Sequence, residues 1–316
     1  MRIYYDGYHE GVWFRDLHPR LADAELKPFP AASQQSAGLA AVLAYDRPDI
    51  VLTESDDTPL LSLERTIEVP SGHNVGQRFA RLAAAARAGV PAVYFGPYSA
   101  YKHGGVTRGP RYMNLRLFHA IDATMRVEGA PITTIRWPTD DDFEIIHGPT
   151  KDVRLREYLR LFFDLLDRGG VGGAREGLLT SEFEEQQEIE RQAFIDREVR
   201  QPEQYDGPPP SVVIGHPNDI PALRGIELPT RETVVYGVGM RYIRSDPYTG
   251  MAILYAYLYC GGMENRSRTL ILRFPEISMA LWDVAARSTR RKDVRLFREV
   301  ADGILFADGF RAKRDL

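Results

Sequence analysis

The stretch from residue 74 to 98, NVGQRFARLAAAARAGVPAVYFGPY, constrains this chain more than any other. Its first part predicts a helix. Asn74 and Gln77 are spaced as an N-cap and N3 pair of capping-box type, and Phe79, Leu82, Ala83 and Ala86 fall on one face. Gly89 is a natural stop at the helix C-terminus. The run VPAVYFGPY that follows is short and apolar, as a buried strand requires. A helix that leads straight into a buried strand is a crossover unit, and such units build sheets with helices packed against them.

The residues upstream supply the partner strands. SQQSAGLAAVLAYD (33–46) reads as a helix capped by Ser33, with Pro48 behind it as a stop. DIVLTE (49–54) reads as a strand and SDDTP (55–59) as its turn. LLSLERTIEV (60–69) reads as the second strand of a hairpin, ended by Pro70, Ser71 and Gly72. The succession helix, strand, strand, helix, strand predicts an α/β protein with a mixed sheet flanked by helices.

The rest of the chain is less regular. Residues 1–20 are aromatic-rich with short strand-like pieces. Helices are expected over 113–127, 152–169 and 181–199, the last opened by a Ser181/Glu184 capping box. GGVGG (169–173) reads as a flexible joint and DGPPP (206–210) as a break. Beyond lies an α+β pattern. It has strand-like ETVVYGVGM (232–240), apolar MAILYAYLYC (251–260), a strand in RTLILRF (268–274) and a helix over 294–305. The expected organisation is a core of residues 1–170 and an accessory region of residues 171–316, with the boundary somewhere in 169–210.

Composition narrows the class. With 316 residues, 44% hydrophobic and 27% charged, the chain is of ordinary globular type. No apolar run reaches the roughly 18 residues of a membrane helix, and the N-terminus lacks the apolar segment of a secretory signal. The single cysteine, Cys260, excludes an internal disulfide and a cysteine-based zinc cluster, so a cytoplasmic location is expected. Seven scattered histidines offer no His-rich metal centre. There is no P-loop and no G-x-S-x-G, and YGVGMRY lacks the third glycine of a dinucleotide fingerprint.

Charge is unevenly distributed. Residues 46–68 hold seven acids and two bases, while residues 69–126 hold eight bases. An acidic knot beside a basic field suits a metal site next to a phosphate-binding surface. The basic tract RSTRRKDVRLFRE (287–299) offers a further grip on phosphates, or a solvated helix face. Within the knot, Asp49 opens one strand and Glu64 lies in its hairpin partner, so the two carboxylates are expected to meet at the sheet edge. Strand alternation puts Glu64, Thr66 and Glu68 on one face.

The dipeptide PD at 48–49, the ExT at 64–66, the helix with Gln77 and the strand behind it together resemble the PD-(D/E)XK, restriction-endonuclease-like nuclease superfamily. The resemblance covers residues 33–98. It implies a restriction-endonuclease-like fold and hydrolysis of DNA phosphodiesters. Asp49 and Glu64 would hold Mg²⁺, with Mn²⁺ as a substitute. The family's lysine position is Thr66 here, and Glu68 or Lys102 would complete the site in its place. Gln77 would contact substrate or orient the site. DNA is the implied partner, a homodimer the expected assembly, and a restriction or phage-defence enzyme the implied setting. The alternative is a catalytically inactive, DNA-binding or assembly relative, which Thr66 in place of the lysine favours. An unrelated α/β protein with decorative surface acids is the remaining alternative. His73 and His103 are weaker candidates for a catalytic base.

Overall fold

Apolar runs bounded by turn chemistry form the middle of a six-stranded sheet in the computed structural model. The structure describes residues 1–72, 74–101, 109–241, 243, 248–288 and 291–316. Along the chain lie β1 (Arg2–Tyr5), α1 (Tyr8–Arg15), β2 (Glu25–Pro28), α2 (Ala37–Val42), β3 (Ile50–Thr53) and β4 (Pro59–Arg65). There follow α3 (Asn74–Arg87), β5 (Ala92–Gly96), β6 (Ser99–Tyr101), β7 (Pro110–Tyr112), α4 (Arg116–Glu128), β8 (Ile132–Arg136), α5 (Val153–Leu179) and α6 (Glu182–Glu198).

The sheet order is β2-β1-β3-β4-β5-β8. β3 runs antiparallel to β1 and β4, and the other pairings are parallel. The C-terminal ends of β1, β4, β5 and β8 therefore share one edge with the start of β3. β3, β5 and nearly all of β4 are buried, which is why they read as unbroken apolar runs. One apolar core gathers Ile50, Leu52, Leu63, Val93, Phe95 and Trp137 with Phe14 of α1 and Phe162 and Phe163 of α5.

The predicted order of α2, β3, β4, α3 and β5 is present, with shifted bounds. Ser36, not Ser33, caps α2, accepting from the Leu39 amide. β4 ends at Arg65 rather than 69. The Thr66 hydroxyl bonds the Glu68 amide and carbonyl, a local turn that competes with the ladder. The aromatic N-terminus contains the helix α1. The GGVGG stretch is a joint, as expected: α5 is two helices that meet there, where Gly170 leaves the helical conformation at φ 62°. Ser181 caps α6 as its capping box predicts, accepting from the Glu184 amide.

A second sheet is built from β9 (Val212–Gly215), β10 (Thr233–Gly237), β11 (Thr269–Arg273), β12 (Gly303–Phe306) and β13 (Gly309–Ala312), in the order β13-β12-β11-β10-β9. β10, β11 and β12 are parallel, with antiparallel strands at both edges. The crossovers use α7 (Tyr248–Cys260), α8 (Met279–Ala286) and α9 (Lys292–Val300). The expected helix over 294–305 ends at Val300, and β12 follows it. MAILYAYLYC is the buried helix α7; an apolar run of that length does not reveal its period.

The chain forms two units that interleave in sequence. The first takes residues 1–71, 81–114 and 128–201, the second 72–80, 115–127 and 202–316. The last of these breaks falls at 201, within the 169–210 stretch expected to hold a boundary. Among the described residues no helix is long and apolar enough to cross a membrane.

Cys260, at the end of α7, is fully buried, and burial pushes its thiol up to about 12. The native protein is therefore expected to leave Ellman's reagent unreacted at pH 8 and to release one thiol equivalent only in denaturant.

Candidate functional site

The hairpin register decides where the acids fall. Ile50 pairs with Leu63, so the next step places Asp49 opposite Glu64. The Asp6 amide donates to the Asp49 carbonyl at 3.0 Å, fixing the backbone just before β3. The Asp49 carboxylate accepts from the Arg65 amide at 2.5 Å. Glu64 is wholly inaccessible to solvent, and Asp49 is 9% exposed.

A buried carboxylate needs a charged partner. Arg81 of α3 supplies it. Its Nη1 lies 2.9 and 3.0 Å from the two Glu64 oxygens and 3.8 Å from Asp49 Oδ1. Its Nε donates to Asp46 Oδ2 at 3.0 Å. Three carboxylates thus surround one guanidinium. Burial works to lower the Arg81 pKa, but Glu64 and then Asp46 outweigh it, and the net direction is upward. The geometry shows that Asp49 and Glu64 converge on a single cation position.

The neighbouring residues crowd this edge. Tyr94 is paired with Glu64 in the parallel β4–β5 register. At Gly96 a Cβ would stand 2.5 Å from the Tyr94 hydroxyl oxygen and 2.7 Å from Thr66 Cγ2, so only glycine fits. Thr66 is 5% exposed and its hydroxyl is engaged by the Glu68 backbone. Glu68 is exposed in the bend beyond β4, so strand alternation does not carry it to the Glu64 face.

Gln77 lies on α3 as expected but belongs to the second unit, whereas Arg81, one turn further on, belongs to the first. Lys102, His73, His103 and residues 244–247 and 289–290 of the two C-terminal motifs lie outside the described residues. Sequence reasoning did not single out Arg81, Asp46 or Glu10. The i, i+4 spacing of Gln77 and Arg81 was the available signal for the first.

Glu10 projects from α1 at the same edge. It is half-buried, and burial, followed by the charge on Asp49, raises its pKa. A carboxylate whose folded-state pKa is raised adds stability while protonated and loses it as pH rises through that value. In chelator, Glu10→Gln is therefore expected to melt higher than the unsubstituted protein at pH 7. The two should converge below the ordinary carboxylate range. Melting curves across pH 3.5–7.5 check this.

Among the described residues no three histidine, cysteine or acidic side chains form a metal-holding group. Mg²⁺ asks for less, since one or two carboxylates with water and substrate phosphate suffice. Asp49 and Glu64 meet that demand once the Arg81 guanidinium, which holds both Glu64 oxygens, gives up its place. They are hard oxygen donors aimed at one point where positive charge already resides.

No protein-family model, curated protein or solved structure matches the chain.

Proposed function

We propose that this protein is a metal-dependent DNA endonuclease with a restriction-endonuclease-like core. The observation that carries the reading is the convergence of Asp49 and Glu64, across a hairpin, on one cation position at the carboxyl edge of the sheet. The order α2, β3, β4, α3, β5 supports it, because that order puts a crossover helix behind the acidic pair. Asp49 and Glu64 would hold the metal. When bound, Mg²⁺ supplies a Lewis acid for a phosphate oxygen and lowers the pKa of a coordinated water. The Arg65 amide fixes the Asp49 carboxylate, and a metal at Glu64 would displace the Arg81 guanidinium. The Thr66 hydroxyl is engaged in the bend, so it does not replace the family lysine as a proton acceptor.

Arg81 itself favours a second reading. A guanidinium resting between the carboxylates suits a catalytically silent relative that binds or assembles on DNA. Incubation with plasmid and phage DNA separates the two. Cutting in Mg²⁺ or Mn²⁺ that stops with chelator supports the nuclease. DNA that is shifted on a gel but left intact under all metals supports the silent relative. DNA neither cut nor shifted contradicts both.

A further inference from the structure

On the opposite face of β4 from Glu64, the side chain of Arg65 lies between two tryptophans. Its guanidinium carbon is 4.4 Å from the Trp13 ring centroid and 5.1 Å from that of Trp137. Trp13 comes from α1, and Trp137 directly follows β8. Phe95 of β5, the register partner of Arg65, stacks on both rings, at 5.9 and 5.1 Å with planes within 5° and 11° of parallel. Trp137 is fully buried and its Nε1 donates to the Ile146 carbonyl, so this wall is rigid.

A second cation shares the wall. Lys151 Nζ is 5.8 Å from the Trp13 centroid and 5.6 Å from that of Trp137. Lys151 is neutralised by Asp152 at 2.9 Å, and the Trp13 Nε1 also donates to that carboxylate. Arg65 has no such acid. Its buried Nε has no hydrogen-bond partner among the described residues, and its guanidinium forms no ion pair among them. Glu10 senses the Arg65 charge but is not paired with it. Two indoles offset part of the cost of holding a half-buried guanidinium there, but they leave its hydrogen-bond donors unused.

An arginine held in place, with donors to spare and no acid, is arranged for an anion. Arg65 is the last residue of β4, so the anion it takes lies at the same sheet edge as the acidic pair. We propose that Arg65 binds a backbone phosphate of the nucleic acid and positions the strand against Asp49 and Glu64. This rests on the nuclease reading. It adds a substrate-contacting residue on the face of β4 that does not carry the acids.

The test is DNA affinity in chelator, measured by fluorescence anisotropy with a labelled mixed-sequence duplex from 50 to 300 mM KCl. Arg65→Met keeps an apolar stem against the indoles, and Arg65→Lys keeps the charge. Arg65→Met is expected to weaken binding by on the order of 10-fold at 100 mM salt and to reduce the salt slope by about 0.9, the share of one phosphate contact. Arg65→Lys is expected to retain the slope. Both variants should bind Mn²⁺ as the unsubstituted protein does, because Asp49 and Glu64 are intact. Unchanged affinity and slope in Arg65→Met would overturn this proposal and leave the nuclease reading standing. A folded, unsubstituted protein that binds no DNA would overturn both. If Arg65→Met does not fold, Arg65→Gln decides in its place: the same loss of slope supports the proposal, and an unchanged slope and affinity overturn it.

Discussion

Arg81→Met is expected to lower the folding free energy by about 3–5 kcal/mol, the cost of breaking a buried ion pair from one side. The magnitude follows from burial. The Glu64 side chain has no solvent exposure, and Arg81 is 13% exposed, so water does little to replace the lost guanidinium. An exposed pair would be worth under about 1 kcal/mol, and its removal would pass almost unnoticed. Urea unfolding followed by tryptophan fluorescence measures the effect. Two further results make the explanation specific. The double variant Glu64→Gln/Arg81→Met is expected to regain much of the loss, since the buried charge has gone with its partner. Arg81→Met alone is expected to be stabilised by Mn²⁺ far more than the unsubstituted protein, because the metal takes over the cation position. A single-variant loss below about 1 kcal/mol would mean that Glu64 does not depend on Arg81.

Glu64→Gln is expected to reduce metal-dependent DNA cleavage by at least about 10²-fold, consistent with the several kcal/mol that a bound metal contributes. Glutamine preserves size and can still accept from Arg81 through its carbonyl oxygen, so the fold should survive. What it lacks is the negative charge. Asp49→Asn should behave alike, and the pair should not be additive, because both serve one cation. Cleavage rates at saturating DNA, with melting temperatures alongside, distinguish this from a folding defect. Cleavage that persists in both variants would relocate the chemistry away from this hairpin.

The part of the fold legible in the sequence is the part built from short apolar runs with turn chemistry at both ends. DIVLTE, the 60–65 segment and VPAVYFG contain strands because their apolar residues are buried, and Gly89 ends α3 in a left-handed conformation at φ 72°. The meeting of Asp49 and Glu64 was legible for the same reason, since a hairpin's register follows from its two strands. What failed is tertiary. α1 carries Gly11 and three aromatics, which have weak helix propensity, and is held by burying Gly11 and Phe14 against its neighbours. Missing α1 meant missing Glu10 and Trp13. β4 stops at Arg65 because the Thr66 hydroxyl prefers its own turn, and Glu68 leaves the strand face with it. Arg81 reaches Glu64 because the crossover places that turn of α3 over β4, which spacing along the chain does not reveal. The interleaved units likewise depend on contacts distant in sequence.

Mn²⁺ binding, titrated by electron paramagnetic resonance at pH 7.5 in the absence of DNA, tests the central claim most directly. The predicted result is saturable binding to the unsubstituted protein that is lost in Glu64→Gln and tightened in Arg81→Met. No saturable binding to either the unsubstituted protein or Arg81→Met, or binding left unchanged by Glu64→Gln, would contradict the assignment of Asp49 and Glu64 as a metal site.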